Sequence, residues 1–146
     1  MTDARPAEGY AGDLTPQQAW ELLAEDAEAV LVDVRTRPEW TFVGVPDLGP
    51  LGKEAAFVEW TSFAAGSVNP HFLEQLAQVG LEPGDGRRVV FLCRSGQRSI
   101  SAARAATAAG FGPAFNVLEG FEGPLDAEGH RGSSGWRALG LPWVQS

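Results

Sequence analysis

The chain has 146 residues, 44% of them hydrophobic and 21% charged, which suits one globular domain with a core of its own. A net charge of −8 argues against an extended nucleic-acid footprint and against docking on an anionic membrane surface. A single cysteine excludes an intrachain disulfide and a Cys-rich zinc site, and His71 and His130 show no ligand spacing, so neither metal nor cofactor is expected.

Ten of the eleven basic residues are arginine, the better fork for oxyanions, and Lys53 is the one lysine. Met1 to Gly12 lacks the basic-then-apolar pattern of a secretory signal, and no apolar run approaches the ~20 residues of a spanning helix. These features predict a cytoplasmic protein.

Taken in chain order, residues 1–13 read as a flexible tail rich in Ala, Gly and charge, and residues 14–146 as one domain. Thr15, Pro16 and Gln18 form a capping-box start, and Ala19, Leu22 and Leu23 give one apolar face up to about Glu25. Ala29 to Val34 is a continuous apolar run interrupted by Asp33, the pattern of a strand buried on both faces of a parallel sheet. Arg35 to Trp40 reads as a polar turn, and Val43 to Lys53, with two prolines and three glycines, as irregular chain. Ala55 to Trp60 predicts a second central strand. Asn69-Pro70 opens a helix carrying Phe72, Leu73, Leu76 and Val79 at helical spacing, with Gly80 as its stop.

Pro83 to Gly86 turns the chain into the strand Val89–Leu92, which delivers Cys93 to a tight polar loop and then to an Ala-rich helix over Ser99–Ala109. Ala114–Leu118 is the next strand, Glu119–Gly135 a loop, and Gly135–Trp143 a short helical turn docking its tryptophans on the core. Alternating strands and helices define an α/β fold with a mostly parallel central sheet flanked by helices. Ligands in such sheets gather beyond the carboxyl ends of the strands, which groups Asp33–Arg35, Glu59–Thr61, Cys93–Arg98 and Glu119-Gly120.

Strand, loop and helix around Cys93 aim several backbone N–H groups at one point, and Arg94 and Arg98 add positive charge there. A thiol in that position should ionise easily, because its thiolate is the anion such a nest stabilises.

The chain resembles a single-domain rhodanese, a sulfurtransferase, from Leu14 onward. The likeness lies in Leu14-Thr15-Pro16, Val32-Asp33-Val34-Arg35, Pro38-Glu39-Trp40, Val117-Leu118-Glu119-Gly120 and Ala138 to Pro142. Its most specific part is the loop Cys93-Arg94-Ser95-Gly96-Gln97-Arg98-Ser99. The resemblance implies that Cys93 is the sulfur-accepting nucleophile and that Arg94, Ser95, Gly96, Gln97, Arg98 and Arg35 bind substrate, with Asp33 and Ser99 in support. It also implies small sulfur donors such as thiosulfate, or a protein persulfide, with thiol, cyanide or protein acceptors.

Three departures from the family pattern stand out. Val43-Gly44-Val45-Pro46-Asp47 replaces the usual Gly-His-Ile-Pro-Gly-Ala stretch. Phe121 replaces the second glycine of Leu-x-Gly-Gly, and a Gly-rich insertion, roughly 121–134, follows it as either a wall over Cys93 or a surface loop.

Two other classes compete with sulfur transfer. A cysteine-dependent phosphatase or arsenate reductase uses Cys-x5-Arg, whereas four residues separate Cys93 from Arg98. A non-catalytic interaction module would keep the fold and dispense with the cysteine. Cysteine-protease chemistry has no oriented histidine to use.

Overall fold

The computed structural model describes residue 5 and residues 7–62 and 66–145. Its elements in chain order begin with β1 (Gly12–Leu14), α1 (Pro16–Glu25), β2 (Val30–Asp33) and α2 (Arg37–Phe42). There follow β3 (Val45–Pro46), a 3-10 turn at Gly49–Leu51, β4 (Ala56–Phe57), β5 (Thr61–Ser62), β6 (Ser67–Val68) and α3 (Phe72–Gln78). The chain then forms β7 (Val89–Leu92), α4 (Arg98–Ala108), β8 (Ala114–Val117) and β9 (Trp143–Val144).

Five strands pair in the order β1-β8-β7-β2-β4, every pair parallel. The apolar run of β7 therefore lies at the centre, with all four residues buried. Side chains alternate across the sheet, and two packed layers result. On one face Val32, Phe91 and Cys93 pack with Phe72 and Leu76 of α3 and with Ala102, Ala103 and Ala106 of α4. Those alanines let α4 lie close to the sheet. On the other face Leu31, Val90, Leu92, Phe115 and Val117 pack with Leu22 and Leu23 of α1 and with Phe121 and Trp136. The start of α1 is the predicted capping box, with Gln18 N–H donating to Thr15 Oγ1 at 3.1 Å and Thr15 N–H to Gln18 Oε1 at 2.9 Å.

Four expectations need correction. The tail does not extend to Asp13: Tyr10 and Asp13 are buried, and Gly12–Leu14 is the edge strand beside β8. Three residues of a Gly- and Ala-rich stretch carry too little pattern to be read as a strand; the expected tail at residues 1–4 and 6 lies outside the described residues. The Ala55–Trp60 run is at the sheet edge, not its centre, with only Ala56–Phe57 paired as a strand. Beyond it, Val58 and Trp60 N–H groups still donate to Asp33 and Val34 carbonyls. The Arg35–Trp40 turn contains the start of a helix, α2, which Pro38 suits as an early helical residue. Finally, Trp136 is buried with its Nε1–H on the Pro142 carbonyl at 2.8 Å, but Trp143 is one-third exposed beneath the Arg137 guanidinium.

Candidate active site

Cys93 follows the last residue of β7 and is 1% exposed. The chain then turns through Gly96, whose φ of +99° favours glycine, and enters α4 at Arg98. That turn points the Gly96 N–H at Cys93 Sγ, 3.1 Å away. The exit of β8 braces the loop from the other side. Phe121 N–H donates to the Cys93 carbonyl at 2.8 Å, and Glu122 N–H donates to the Arg94 carbonyl at 3.0 Å. A Cβ at Gly120 would lie 2.4 Å from the Cys93 oxygen, so this close approach requires glycine.

The loop residues divide by exposure. Arg94 and Gln97 are exposed, Ser95 is half-buried, and Gly96 and Ser99 are buried. Arg98, expected to bind substrate, instead reaches α2: its two terminal nitrogens donate to the two Glu39 carboxylate oxygens at 2.8 and 2.9 Å. Burial pushes the Glu39 carboxyl up, but hydrogen bonds from Arg98 and Thr36 and the Arg98 charge outweigh it and hold it down to about 2. Burial likewise opposes the Arg98 charge, yet Glu39, with Cys93 and Asp33 nearby, raises its guanidinium above the ordinary value. In this structure Arg98 clamps α2 to the start of α4.

Arg35 also departs from expectation. It is fully buried, its Nε and Nη2 donate to the Asp33 carboxylate at 2.7–3.1 Å, and Nη2 donates to the Gly44 carbonyl at 2.7 Å. The Phe121 ring lies 4.2 Å from its guanidinium carbon, within the layer on the opposite face of the sheet from Cys93. Arg35 therefore braces the ends of β2 and β3 and does not line the thiol. Asp33 is its partner. Of the grouped strand ends, Cys93–Arg98 meets Glu119-Gly120, and Asp33–Arg35 meets Glu59–Thr61 through Trp60 N–H on the Val34 carbonyl, while the Glu59 side chain accepts from Arg37 N–H at 2.9 Å.

A run of buried polar groups extends away from the thiol, and it contains residues that sequence reasoning missed. Ser99 Oγ lies 3.2 Å from Cys93 Sγ and hydrogen-bonds Asn116 Oδ1. Asn116 Nδ2 donates to Asp13 Oδ1 at 3.0 Å, and the Tyr10 hydroxyl donates to the same oxygen at 2.7 Å. Burial works against the Asp13 carboxylate, but hydrogen bonds from Asn116, Tyr10 and Arg5 hold it below its usual range. One signal for Asn116 was available: it is the polar residue in an otherwise apolar strand, β8. Glu39 was visible only as part of a turn motif.

Among the described residues no group of three His, Cys, Asp or Glu side chains is placed to hold a metal ion. His71 precedes α3 beside Glu74, and the His130 N–H caps the Asp126 side chain within the insertion. No helix is long and apolar enough to cross a membrane among the described residues.

Residues 11–146 match the family described as the STR4 middle domain. The crystal structure of Rv0390 from M. tuberculosis is 59% identical and aligns with a TM-score of 0.85 over 94% of this chain and 99% of that one. The solution structure of the polysulfide-sulfur transferase homodimer from Wolinella succinogenes is 25% identical, with a TM-score of 0.61 over 92% of this chain and 78% of that one. Rhodanese-like domain-containing protein 4 of Arabidopsis thaliana, a chloroplastic protein, is 27% identical across 88% of this chain and 25% of its own length.

Proposed function

This chain belongs to the STR4 middle-domain family and has a rhodanese-like fold, and from that premise we propose that it is a sulfurtransferase carrying sulfane sulfur on Cys93. The observation that supports this most is the thiol's setting. It stands at the carboxyl end of the central strand, with the Gly96 N–H on its sulfur and the first turn of α4 behind it.

In the first half-reaction the Cys93 thiolate attacks the outer sulfur of thiosulfate. The donor's S–S bond breaks, sulfite leaves with the bonding pair, and Cys93 is left as a persulfide. A thiol or cyanide then attacks the outer sulfur, and the electron pair of the persulfide bond returns to Sγ. Polysulfide, after which the Wolinella relative is named, or a protein persulfide would serve as donor by the same chemistry. Exposed Arg94 is the charge that incoming anions meet.

The arginine arrangement favours sulfur over phosphoryl transfer. A phosphoryl group brings three equatorial oxygens that a guanidinium clasps, and here the Arg98 fork is held by Glu39. What Cys93 Sγ does receive is one backbone amide, the Gly96 N–H at 3.1 Å, a contact that suits one anionic atom. Incubation with thiosulfate should add the mass of one sulfur atom to the intact protein, and cyanide should remove it. Cys93→Ser should abolish both; full thiosulfate-to-cyanide turnover in that variant would refute the reading.

A further inference from the structure

We propose that Asp13 is a positioning residue for the Cys93 thiol: acting through Asn116, it fixes the direction in which the Ser99 hydroxyl points its proton. This goes beyond sulfur transfer, because it concerns the thiol whatever electrophile it meets.

Asp13, Asn116, Ser99 and Cys93 are all buried, at 6%, 0%, 0% and 1% exposure, so the groups must satisfy one another. The parallel register pairs Asp13 with Asn116 across β1 and β8, which sets their side chains on the same face of the sheet. An ionised carboxylate only accepts, so Asn116 must turn its Nδ2 toward Asp13. Its Oδ1 then faces Ser99 and can only accept as well, which commits the single hydroxyl proton of Ser99 to Asn116. Ser99 Oγ is left to offer a lone pair to Cys93 Sγ, so the proton between those two atoms belongs to the thiol. The direction of every bond is thus set by a carboxylate three groups away.

The charged surroundings do not supply an alternative source for that polarity. Around Asp13 stand the Tyr10 hydroxyl, Arg5 on its other oxygen, and Arg104 over the Tyr10 ring. Burial and the Asp13 hydrogen bond push Tyr10 up to about 12, so it remains a donor. Around Cys93 the charges are exposed Arg94 on its own loop and Arg98 on α4, clamped by Glu39 of α2, with the Asp33–Arg35 pair on the other face of the sheet. None of these reaches Ser99 in the hydrogen-bond chain.

Once its proton leaves, Sγ receives the Gly96 N–H but faces an oxygen lone pair from Ser99. Asp13→Asn removes the constraint. A carboxamide at position 13 can accept or donate, so Asn116 can turn over, present Nδ2 to Ser99, and free the hydroxyl proton for the thiolate. The test is the rate at which iodoacetamide alkylates Cys93, the one thiol, which needs no sulfur donor and is independent of the sulfur-transfer reading.

At about pH 6 the Asp13→Asn protein should react about tenfold faster than the parent, the effect of one hydrogen bond gained by an anion. At about pH 9.5, above the ordinary thiol range of ~8.5, the two rates should converge. Asp13→Ala, which leaves Asn116 equally free to turn, is a second variant with the same expected profile. In a Ser99→Ala background the Asp13→Asn acceleration should vanish. Equal acceleration at both pH values would mean simple opening of the loop, and persistence without Ser99 would mean a through-space charge effect; either result, or no acceleration, overturns the assignment.

Discussion

Two buried polar assemblies lie on opposite faces of the same sheet, and they differ in what they are attached to. Asp33 and Arg35 close on each other with side chains fully removed from solvent, and their remaining contacts are the Gly44 carbonyl and the Phe121 ring. The Ser99–Asn116–Asp13 run begins 3.2 Å from the thiol and ends on an ionised carboxylate. The first holds loops together, whereas the second carries an electrostatic preference to one reactive atom. Charge and burial alone therefore do not identify a working residue; the atom at the end of the hydrogen-bond chain does.

The largest effect should come from breaking the first assembly. Arg35→Met leaves the Asp33 carboxylate buried without its fork, a change that costs about 3–5 kcal/mol. For a chain of this size that lowers the thermal midpoint by on the order of ten degrees. The same variant should leave the pH profile of Cys93 alkylation in its folded fraction unchanged. Calorimetry and alkylation on one preparation read both. A large change in the profile would show that the two faces are coupled after all.

Glu39 and Arg98 offer an intermediate effect and a pH window. The Glu39 carboxyl titrates at about 2 in the folded chain against an ordinary value of 4.5. Since the folded value is the lower, the clamp's contribution is fully present above about pH 4.5 and is lost as pH falls toward 2. Glu39→Gln should cost about 1–3 kcal/mol at neutral pH and remove most of the acid sensitivity between those limits. Urea midpoints measured through that range would show it; a variant as acid-sensitive as the parent would remove Glu39 from the account. Unlike Arg35, this pair touches the loop through the start of α4, so sulfur loading should also slow.

The legible parts of this molecule are those in which neighbouring residues carry the signal. The capping box of α1, the apolar runs of β2, β7 and β8, and the Cys93 loop are all local patterns. Arg35 misleads because a charged residue after a strand ordinarily meets solvent, and its cover, Phe121, arrives from a distant segment. The link from Asn116 to Asp13 spans 103 residues and depends on strand order, which no local pattern encodes. Arg98 does stand beside the nucleophile, but its partner is Glu39, presented by a helix whose sequence reads as a turn.

The insertion after β8 should give the smallest change in stability, for a reason visible at its two ends. A Cβ at Gly123 would lie 2.5 Å from the Ser134 carbonyl oxygen, so the chain returns almost to its starting point and the segment between can be removed without stretching either end. Within it, Asp126 accepts from the N–H groups of Glu128 and His130 and from Ser133, while Leu125 is exposed, so the segment is held mostly by its own turn. Its base is different, since Phe121 is fully buried against the core and Glu122 hydrogen-bonds the Arg94 carbonyl. Replacing residues 124–133 with two glycines should therefore move the thermal midpoint by no more than about 2 °C, whereas Phe121→Ala should cost about 3–5 kcal/mol. Because the base adjoins Arg94, the shortened chain should change the ratio of sulfur delivery to cyanide and to a protein thiol by about three- to tenfold, on the sulfur-transfer reading. Turnover with both acceptors, normalised to persulfide content, measures that ratio. An unaltered ratio with a large loss of stability would make the insertion a folding element instead, and would extend the structural role of Phe121 to the whole segment.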